Sequence, residues 1–193
     1  MLIQSSRLLL KTSSQYKIIP IVESRVQFTQ VFESTQVNSI ILRHCSLFDF
    51  IGLLDEAHKR KLSVYVNVDH IDGIHADSAG LRYLADTLKV TGIISNNPRI
   101  LSLCKDFGLE PIQRIYAVDS TGLEMALDSV DTHCVDVLDI SPGLVTPYIT
   151  AQNKELFPLP FIASGLIHTP EQVQSVLRSG AIGVAVSRPE LWL

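Results

Sequence analysis

The sequence is poor in cysteine, carries no excess of positive charge and contains no long apolar run. Its three cysteines, Cys45, Cys104 and Cys134, are widely spaced and odd in number, which excludes a disulfide framework and a CxxC-type metal site. We interpret them as reduced, mostly buried thiols of a cytoplasmic protein. The formal net charge of −4 disfavours binding to nucleic acid through a general positive field. The apolar segments are too short for a signal peptide or a membrane span, so we expect no membrane partner.

Signatures of several enzyme classes are also missing. The first apolar run ends in IVES, without the GxGxxG turn of a dinucleotide-binding sheet. No GxSxG nucleophile elbow occurs. None of the seven lysines lies at the end of a strand-like run, which disfavours a Schiff-base aldolase. We therefore expect a protein that is not an enzyme, although an enzyme acting on a phosphorylated small molecule stays open as the alternative.

What the sequence does contain is a regular alternation of apolar, β-branched runs with segments of helical spacing. Hydrophobic residues make up 46% and charged residues 19% of the chain, as in compact globular domains. Such alternation predicts an α/β fold of parallel βα units. We predict a compact or slightly irregular TIM-like barrel, with residues 1–193 as a single domain and 1–16 as an N-terminal extension. The eight predicted strands lie in 17–22, 39–44, 63–69, 91–96, 111–119, 135–140, 160–165 and 181–187, with helices between them, for example at 46–61, 98–108 and 169–180.

Helix boundaries in the sequence support this organisation. Thr169 precedes Pro170 and Glu171, which predicts an N-cap, a proline in the first turn and an acid near the positive helix end. Gly108 and Gly180 follow helical segments and predict left-handed residues just after the helix ends.

Glycine and serine follow the seventh and eighth predicted strands. Loops after the strands form the working face of a TIM barrel, and loops seven and eight are its usual phosphate site. Gly165 permits close backbone approach, Ser187 offers a hydroxyl, and Arg188 offers a two-pronged guanidinium contact. Ordinary turn chemistry would explain the Ser164-Gly165 pair alone, but its place in unit seven favours an anion site. The predicted ligand site also includes Ser95 and Gly143, which follow other strands.

Two aspartates, Asp69 and Asp119, also follow apolar runs. An acid there could accept hydrogen bonds from ligand hydroxyls, hold a divalent cation or act as an acid or base. The other interpretation is structural, since Asp119 before Ser120 is well placed to cap a helix. The surrounding segment 67–77 fits no zinc spacing, and we expect neither a metal nor a cofactor.

Six segments in order identify a family resemblance. They are VNVDHIDGI (66–74), TGIISNN (91–97), PIQRIYAVDSTGLEMAL (111–127), SPGLVTPYI (141–149), ASGLIHTPEQV (163–173) and SRPELW (187–192). Over residues 17–192 the chain resembles the glycerol-3-phosphate-responsive antiterminators. The resemblance implies a TIM-barrel-like bacterial regulator without catalytic turnover, which binds glycerol-3-phosphate and acts on the mRNA leader of glycerol-utilisation genes. The positions that match the family's motifs are Asp69, Gly73, Ser95, Gln113, Arg114, Asp119, Pro142, Gly143, Gly165 and Ser187.

The chain departs from the family pattern in two places that bear on the ligand. Asn67 stands where the family often has histidine, and Arg188-Pro189 stands where a smaller polar pair is common.

RNA contact is the least specified feature. No RNP-type sequence or KH loop occurs, and Lys59 to Lys61 is explained by favourable cations at a helix C-terminus. The candidate RNA contacts are Arg43, Arg99 and Arg114. A barrel that works through a protein partner is a further open alternative, and the sequence is also compatible with a homo-oligomer.

Overall fold

Eight parallel strands close into a barrel. The computed structural model describes residues 9, 17–34, 37–153 and 155–192, and each barrel strand pairs with the next in sequence until the eighth pairs with the first. This confirms the predicted TIM-like α/β barrel and all eight strand positions. The strands are β1 (Ile18–Val22), β2 (Ser39–Leu42), β3 (Ser63–Asn67), β4 (Gly92–Ser95), β5 (Glu110–Tyr116), β6 (Val137–Ser141), β7 (Phe161–Ser164) and β8 (Gly183–Val186).

Helices connect the strands along the outside of the barrel. They are α1 (Arg25–Val31), α2 (Leu47–Lys59), α3 (Ser78–Arg82), α4 (Pro98–Cys104), α5 (Ser120–Asp128), α6 (Thr146–Gln152) and α7 (Pro170–Arg178). The barrel is slightly irregular, in agreement with the prediction. A π-helical turn, Tyr83–Thr87, continues α3, and the 3-10 turn Pro189–Leu191 follows β8. Cys45–Ser46 and Ile71–Asp72 form a separate two-stranded sheet.

Helix ends follow the predicted cap residues. Thr169 and Gln172 form a reciprocal capping box at the start of α7, which satisfies two otherwise unpaired N–H groups. Gly108 and Gly180 adopt φ angles of 72° and 100°. Both lie in the left-handed region where glycine has no Cβ penalty.

The core has an inner and an outer layer, because side chains of a barrel strand point alternately inwards and outwards. The inner layer consists of Ile19, Ile21, Ile41, Tyr65, Ile94, Ile112, Val137, Ile162 and Ala185, joined by Leu9. The outer layer lies between the strands and the helices and continues between neighbouring helices, where the rings of Phe28 on α1 and Phe50 on α2 lie 5.4 Å apart. Buried Cys45 and Cys104 belong to this outer layer. Burial raises the pKa of each of these two thiols to about 12.

Leu9 closes the amino-terminal end of the barrel. Its backbone N–H donates to a Glu110 carboxylate oxygen at 3.2 Å, and the Tyr65 hydroxyl donates to the same oxygen at 2.6 Å. The rest of the predicted extension, 1–8 and 10–16, lies outside the described residues. Within the described ranges, no helix is both long and apolar enough to cross a bilayer.

Candidate functional site

Polar side chains line the inside of the barrel at its carboxyl end, which we call the mouth. Each lies two residues beyond a member of the inner apolar layer and so points inwards by strand alternation. We call this set the polar layer, and all of its members are buried. It consists of Asn67, Arg114, Asp139 and Ser164.

An ion pair forms the centre of the polar layer. Arg114 Nε donates to Asp139 Oδ2 at 2.9 Å, and Arg114 Nη2 donates to the same oxygen. Nη2 also lies 3.4 Å from Ser164 Oγ, so the guanidinium spans the inside of the barrel from β5 to β7. Burial opposes the charge on Arg114, but the Asp139 carboxylate and Tyr116 outweigh it and hold the pKa of Arg114 above its ordinary value. The guanidinium therefore stays charged at neutral pH.

A second cation, Arg43, follows β2 at the mouth. Its Nε and Nη2 donate to Glu23 Oε1 at 3.0 and 2.8 Å. Both side chains keep some exposure, 18% for Arg43 and 31% for Glu23, so solvent weakens their attraction. The pair fixes the guanidinium between the loops that follow β1 and β2.

Two histidines stack beside this pair. The rings of His44 and His70 lie 4.6 Å apart. Desolvation lowers the pKa of His70, and the nearby His44, Arg114 and Arg43 lower it further, against an opposing effect of Asp69. The His70 imidazole is consequently neutral at pH 7.

Asp69 ties the loop after β3 to the end of β4. Its carboxylate accepts hydrogen bonds from Ser95 Oγ at 2.6 Å and from the Asn96 N–H at 2.7 Å. Ser95 Oγ in turn accepts from the Asn97 N–H at 3.0 Å. This bonding gives Asp69 and Ser95 a structural role at the mouth.

A cleft of about 310 Å³ opens between the loops after β7 and β8. Gly165 forms part of its wall with a φ of 85°, and a Cβ there would lie 3.0 Å from Ser141 Oγ. The Gly143 N–H donates to the Gly165 carbonyl at 3.1 Å, which ties loop six to loop seven. The residues lining the cleft are Ile21, Arg43, Gly165, Leu166, Ile167, His168, Ala185, Val186, Ser187 and Arg188.

The structure brings only part of the predicted site together. Gly165, Ser187 and Arg188 share the cleft. Ser164 directly precedes Gly165 of the cleft wall, but its side chain belongs to the polar layer inside the barrel. Exposed Asp119 accepts from the Gly122 N–H at 2.7 Å as the N-cap of α5, so the capping interpretation describes its geometry. Neither Asp119 nor Asp69 lines the cleft.

The three candidate RNA contacts differ in accessibility. Arg99 is exposed in the first turn of α4. Arg43 is partly exposed and paired with Glu23. Arg114 is 5% exposed and paired with Asp139, so its guanidinium is not placed to contact a nucleic-acid backbone. Arg114 therefore belongs to the interior of the mouth and not to an RNA surface.

The site prediction does not include Asn67 or Asp139, which the structure places in the polar layer. Their signal in the sequence is a polar residue at an inward-facing position of an otherwise apolar strand, as in VDVLDIS, residues 135–141. Such a residue interrupts a fully buried strand and requires partners.

The closed ring of parallel strands, with a polar mouth at their carboxyl ends, defines this chain as a TIM-barrel protein. More specifically, the family model for the glycerol-3-phosphate responsive antiterminator matches residues 18–192, so the chain belongs to that family. A search of curated protein sequences gave no significant match.

Solved structures of similar proteins carry the same architecture. The glycerol uptake operon antiterminator regulatory protein of Listeria monocytogenes is 24% identical, with a TM-score of 0.81 over 91% of this chain and 94% of that one. A glycerol uptake operon antiterminator-related protein of Thermotoga maritima is 22% identical, with a TM-score of 0.77 over 92% and 98%. The N-acetylmannosamine-6-phosphate 2-epimerase of Clostridium perfringens is 15% identical, with a TM-score of 0.65 over 95% and 92%. At these identities the likeness shows the fold.

Proposed function

We propose that this protein binds glycerol-3-phosphate at the mouth of its barrel and acts as a transcription antiterminator on the mRNA leader of glycerol-utilisation genes. Family membership supports the effector and the regulatory role. The single structural observation that carries the binding site is the cleft between loops seven and eight, which contains Gly165, Ser187 and Arg188.

The phosphate binds in this cleft. Backbone N–H groups near Gly165 and Ser187 approach the anion closely, and Arg188 supplies the charge. Its guanidinium now contacts Glu190 at 3.1 Å on the surface, with 48% of the arginine side chain exposed. A solvated pair of this kind is weak, so Arg188 can turn towards a phosphate with little loss.

The protein acts as a sensor and not as an enzyme. Asp69 and Glu23 are two acids at the mouth that could act as a catalytic base, and both are already bonded to other residues. Asp69 accepts two hydrogen bonds, and Glu23 holds Arg43. This arrangement favours holding a ligand over proton transfer. The alternative is an enzyme acting on a phosphorylated small molecule. Its support is the fold, which an epimerase shares.

Ligand binding is coupled to RNA binding through the loops at the mouth. A ligand that contacts loops seven and eight favours the conformations in which those loops are ordered, and RNA then selects the same population. Exposed Arg99 and partly exposed Arg43 are the proposed cationic contacts on this side of the molecule.

Thermal melting with four compounds tests the proposal. We expect glycerol-3-phosphate to raise the melting temperature, while glycerol, phosphate and sulfate at equal concentration leave it nearly unchanged. NMR after long incubation should show no product, whereas turnover of the ligand would favour the enzyme.

RNA binding is measured separately, on the glycerol-operon leader with and without saturating glycerol-3-phosphate. Equal affinity in both states would contradict the antiterminator mechanism. Arg99→Ala should weaken leader binding and leave the ligand-induced melting shift intact.

A further inference from the structure

We infer that the polar layer is the subsite for the ligand's hydroxyl groups, with Asn67 and Asp139 recognising the diol end of a small phosphorylated alcohol. This inference rests on the proposed function, since it needs a phosphorylated ligand in the neighbouring cleft. It assigns hydroxyl recognition to the inside of the barrel, in place of Asp69 and Asp119.

Unpaired polar atoms motivate the assignment. Among the described residues, Asn67 Nδ2, Asn67 Oδ1 and Asp139 Oδ1 are buried without a hydrogen-bond partner. Both side chains are fully shielded, with 0% exposure. A buried donor or acceptor without a partner is destabilising, and its presence in a folded protein requires a reason. A bound hydroxyl compound would supply the missing partners.

These atoms face the barrel interior at the level of the mouth. Asn67 comes two residues after Tyr65, and Asp139 two residues after Val137, both members of the inner apolar layer. The interior of an eight-stranded barrel is only wide enough for side chains or one small ligand. Inward-facing groups on β3 and β6 can therefore reach a single three-carbon molecule.

The cleft leads towards this level. Ile21 and Ala185 line the cleft and also belong to the inner apolar layer. Ser164, whose Oγ lies 3.4 Å from Arg114 Nη2, directly precedes Gly165 of the cleft wall. A ligand with its phosphate between loops seven and eight would extend its carbon chain towards the polar layer.

The charges of the polar layer suit hydroxyls better than a phosphate. Arg114 is already neutralised by Asp139, and the unpaired Asp139 Oδ1 would repel an anion. A carboxylate oxygen accepts from a hydroxyl, while the Asn67 amide both donates and accepts. Two neighbouring hydroxyls would thus satisfy all three unpaired atoms.

Ligand selectivity of the unmodified protein tests the inference directly. We compare the dissociation constants of glycerol-3-phosphate, 3-hydroxypropyl phosphate and n-propyl phosphate by calorimetry. The diol should bind at least about tenfold more tightly than n-propyl phosphate, because unpaired polar groups reject a ligand that lacks the matching hydroxyl. Equal affinities would overturn the diol subsite and leave the phosphate site standing. Binding of none of the three would overturn both this inference and the proposed function.

The Asn67→Leu variant provides a second test of the inference. It removes the two unpaired amide atoms at similar volume, so the ligand-free melting temperature should stay equal or rise. Affinity for glycerol-3-phosphate should fall about tenfold, while affinity for n-propyl phosphate stays unchanged. Unchanged selectivity in this variant would show that Asn67 holds a buried water and not the ligand.

A matched control is Gln113→Leu. Gln113 Oε1 is also buried without a partner among the described residues, but Gln113 follows inward-facing Ile112 by one residue and so faces the helices. Its replacement should leave the affinities for all three compounds unchanged. A selectivity loss equal to that of Asn67→Leu would contradict the assignment, because the effect would then not depend on the barrel interior.

Discussion

Arg114 on β5 and Asp139 on β6 form a buried ion pair across neighbouring strands, with Nε and Oδ2 2.9 Å apart. The two side chains are 3% and 0% exposed. This pair places a charged but internally neutralised group at the end of the barrel where TIM-barrel proteins bind their ligands.

Removing one partner of this pair should destabilise the protein strongly. We expect Asp139→Ala to lower the free energy of unfolding by about 3–5 kcal/mol, because it leaves a buried guanidinium uncompensated. Urea denaturation measures the change. Replacing both partners, Arg114→Met with Asp139→Leu, should recover much of the loss.

The control for this prediction is the exposed pair of Arg188 and Glu190. Arg188→Ala should cost less than about 1 kcal/mol. A loss of similar size in Arg188→Ala and Asp139→Ala would contradict the stated role of burial.

Gly165 and Gly108 form a matched pair for testing the cleft. Both have positive φ angles, 85° and 72°. An alanine Cβ at Gly108 would meet no atom within 4 Å, whereas at Gly165 it would lie 3.0 Å from Ser141 Oγ. Alanine at either position should cost roughly 1 kcal/mol of stability through backbone strain.

Only Gly165→Ala should also weaken glycerol-3-phosphate binding, because the methyl group would press on Ser141 Oγ and displace the loop that forms the cleft wall, so that this loop obstructs the cleft. Calorimetric titration of the two variants distinguishes strain from obstruction. Equal affinities in both would remove Gly165 from the proposed phosphate site.

Stability should fall in mild acid because of His70. Its folded-state pKa is lowered, mainly by desolvation and then by neighbouring positive groups. Above an unfolded pKa of about 6.5 both states are neutral and His70 contributes nothing to the pH dependence. As the pH falls below that value, the unfolded state takes up the proton first, so the free energy of unfolding decreases.

Urea denaturation at pH 7.5 and 5.5 checks this effect. His70→Gln should show a smaller loss between the two pH values than the unmodified protein. His75→Gln, at an exposed position, should retain the full loss. The same loss in both variants would contradict the assignment to His70.

Much of the barrel could be predicted from local pattern. The run KIIPIV contains β1, and the Thr169 cap and Gly180 mark the two ends of α7. Strand burial and helix capping depend on residues that are close together in the sequence, so both can be predicted from the sequence. The order of the βα units likewise predicted that loops seven and eight lie side by side.

The roles of individual polar residues were less predictable. Asp69 and Asp119 look alike in sequence, each following an apolar run, but one bonds to the end of the next strand and the other caps its own helix. Arg114 is a candidate RNA contact in the sequence, but the structure places it inside the barrel. Which groups stand opposite a polar residue inside the barrel depends on barrel closure.

The sequence by itself determined the parallel βα organisation, the family and the glycine-containing loops, because these depend on residue type and spacing along the chain. Only the tertiary structure decided that Arg114 pairs with Asp139 and that Asn67 lies in the same buried layer. Closure of the barrel brings strands far apart in sequence around one narrow interior, and the low polarity of that interior determines which polar groups must find partners there.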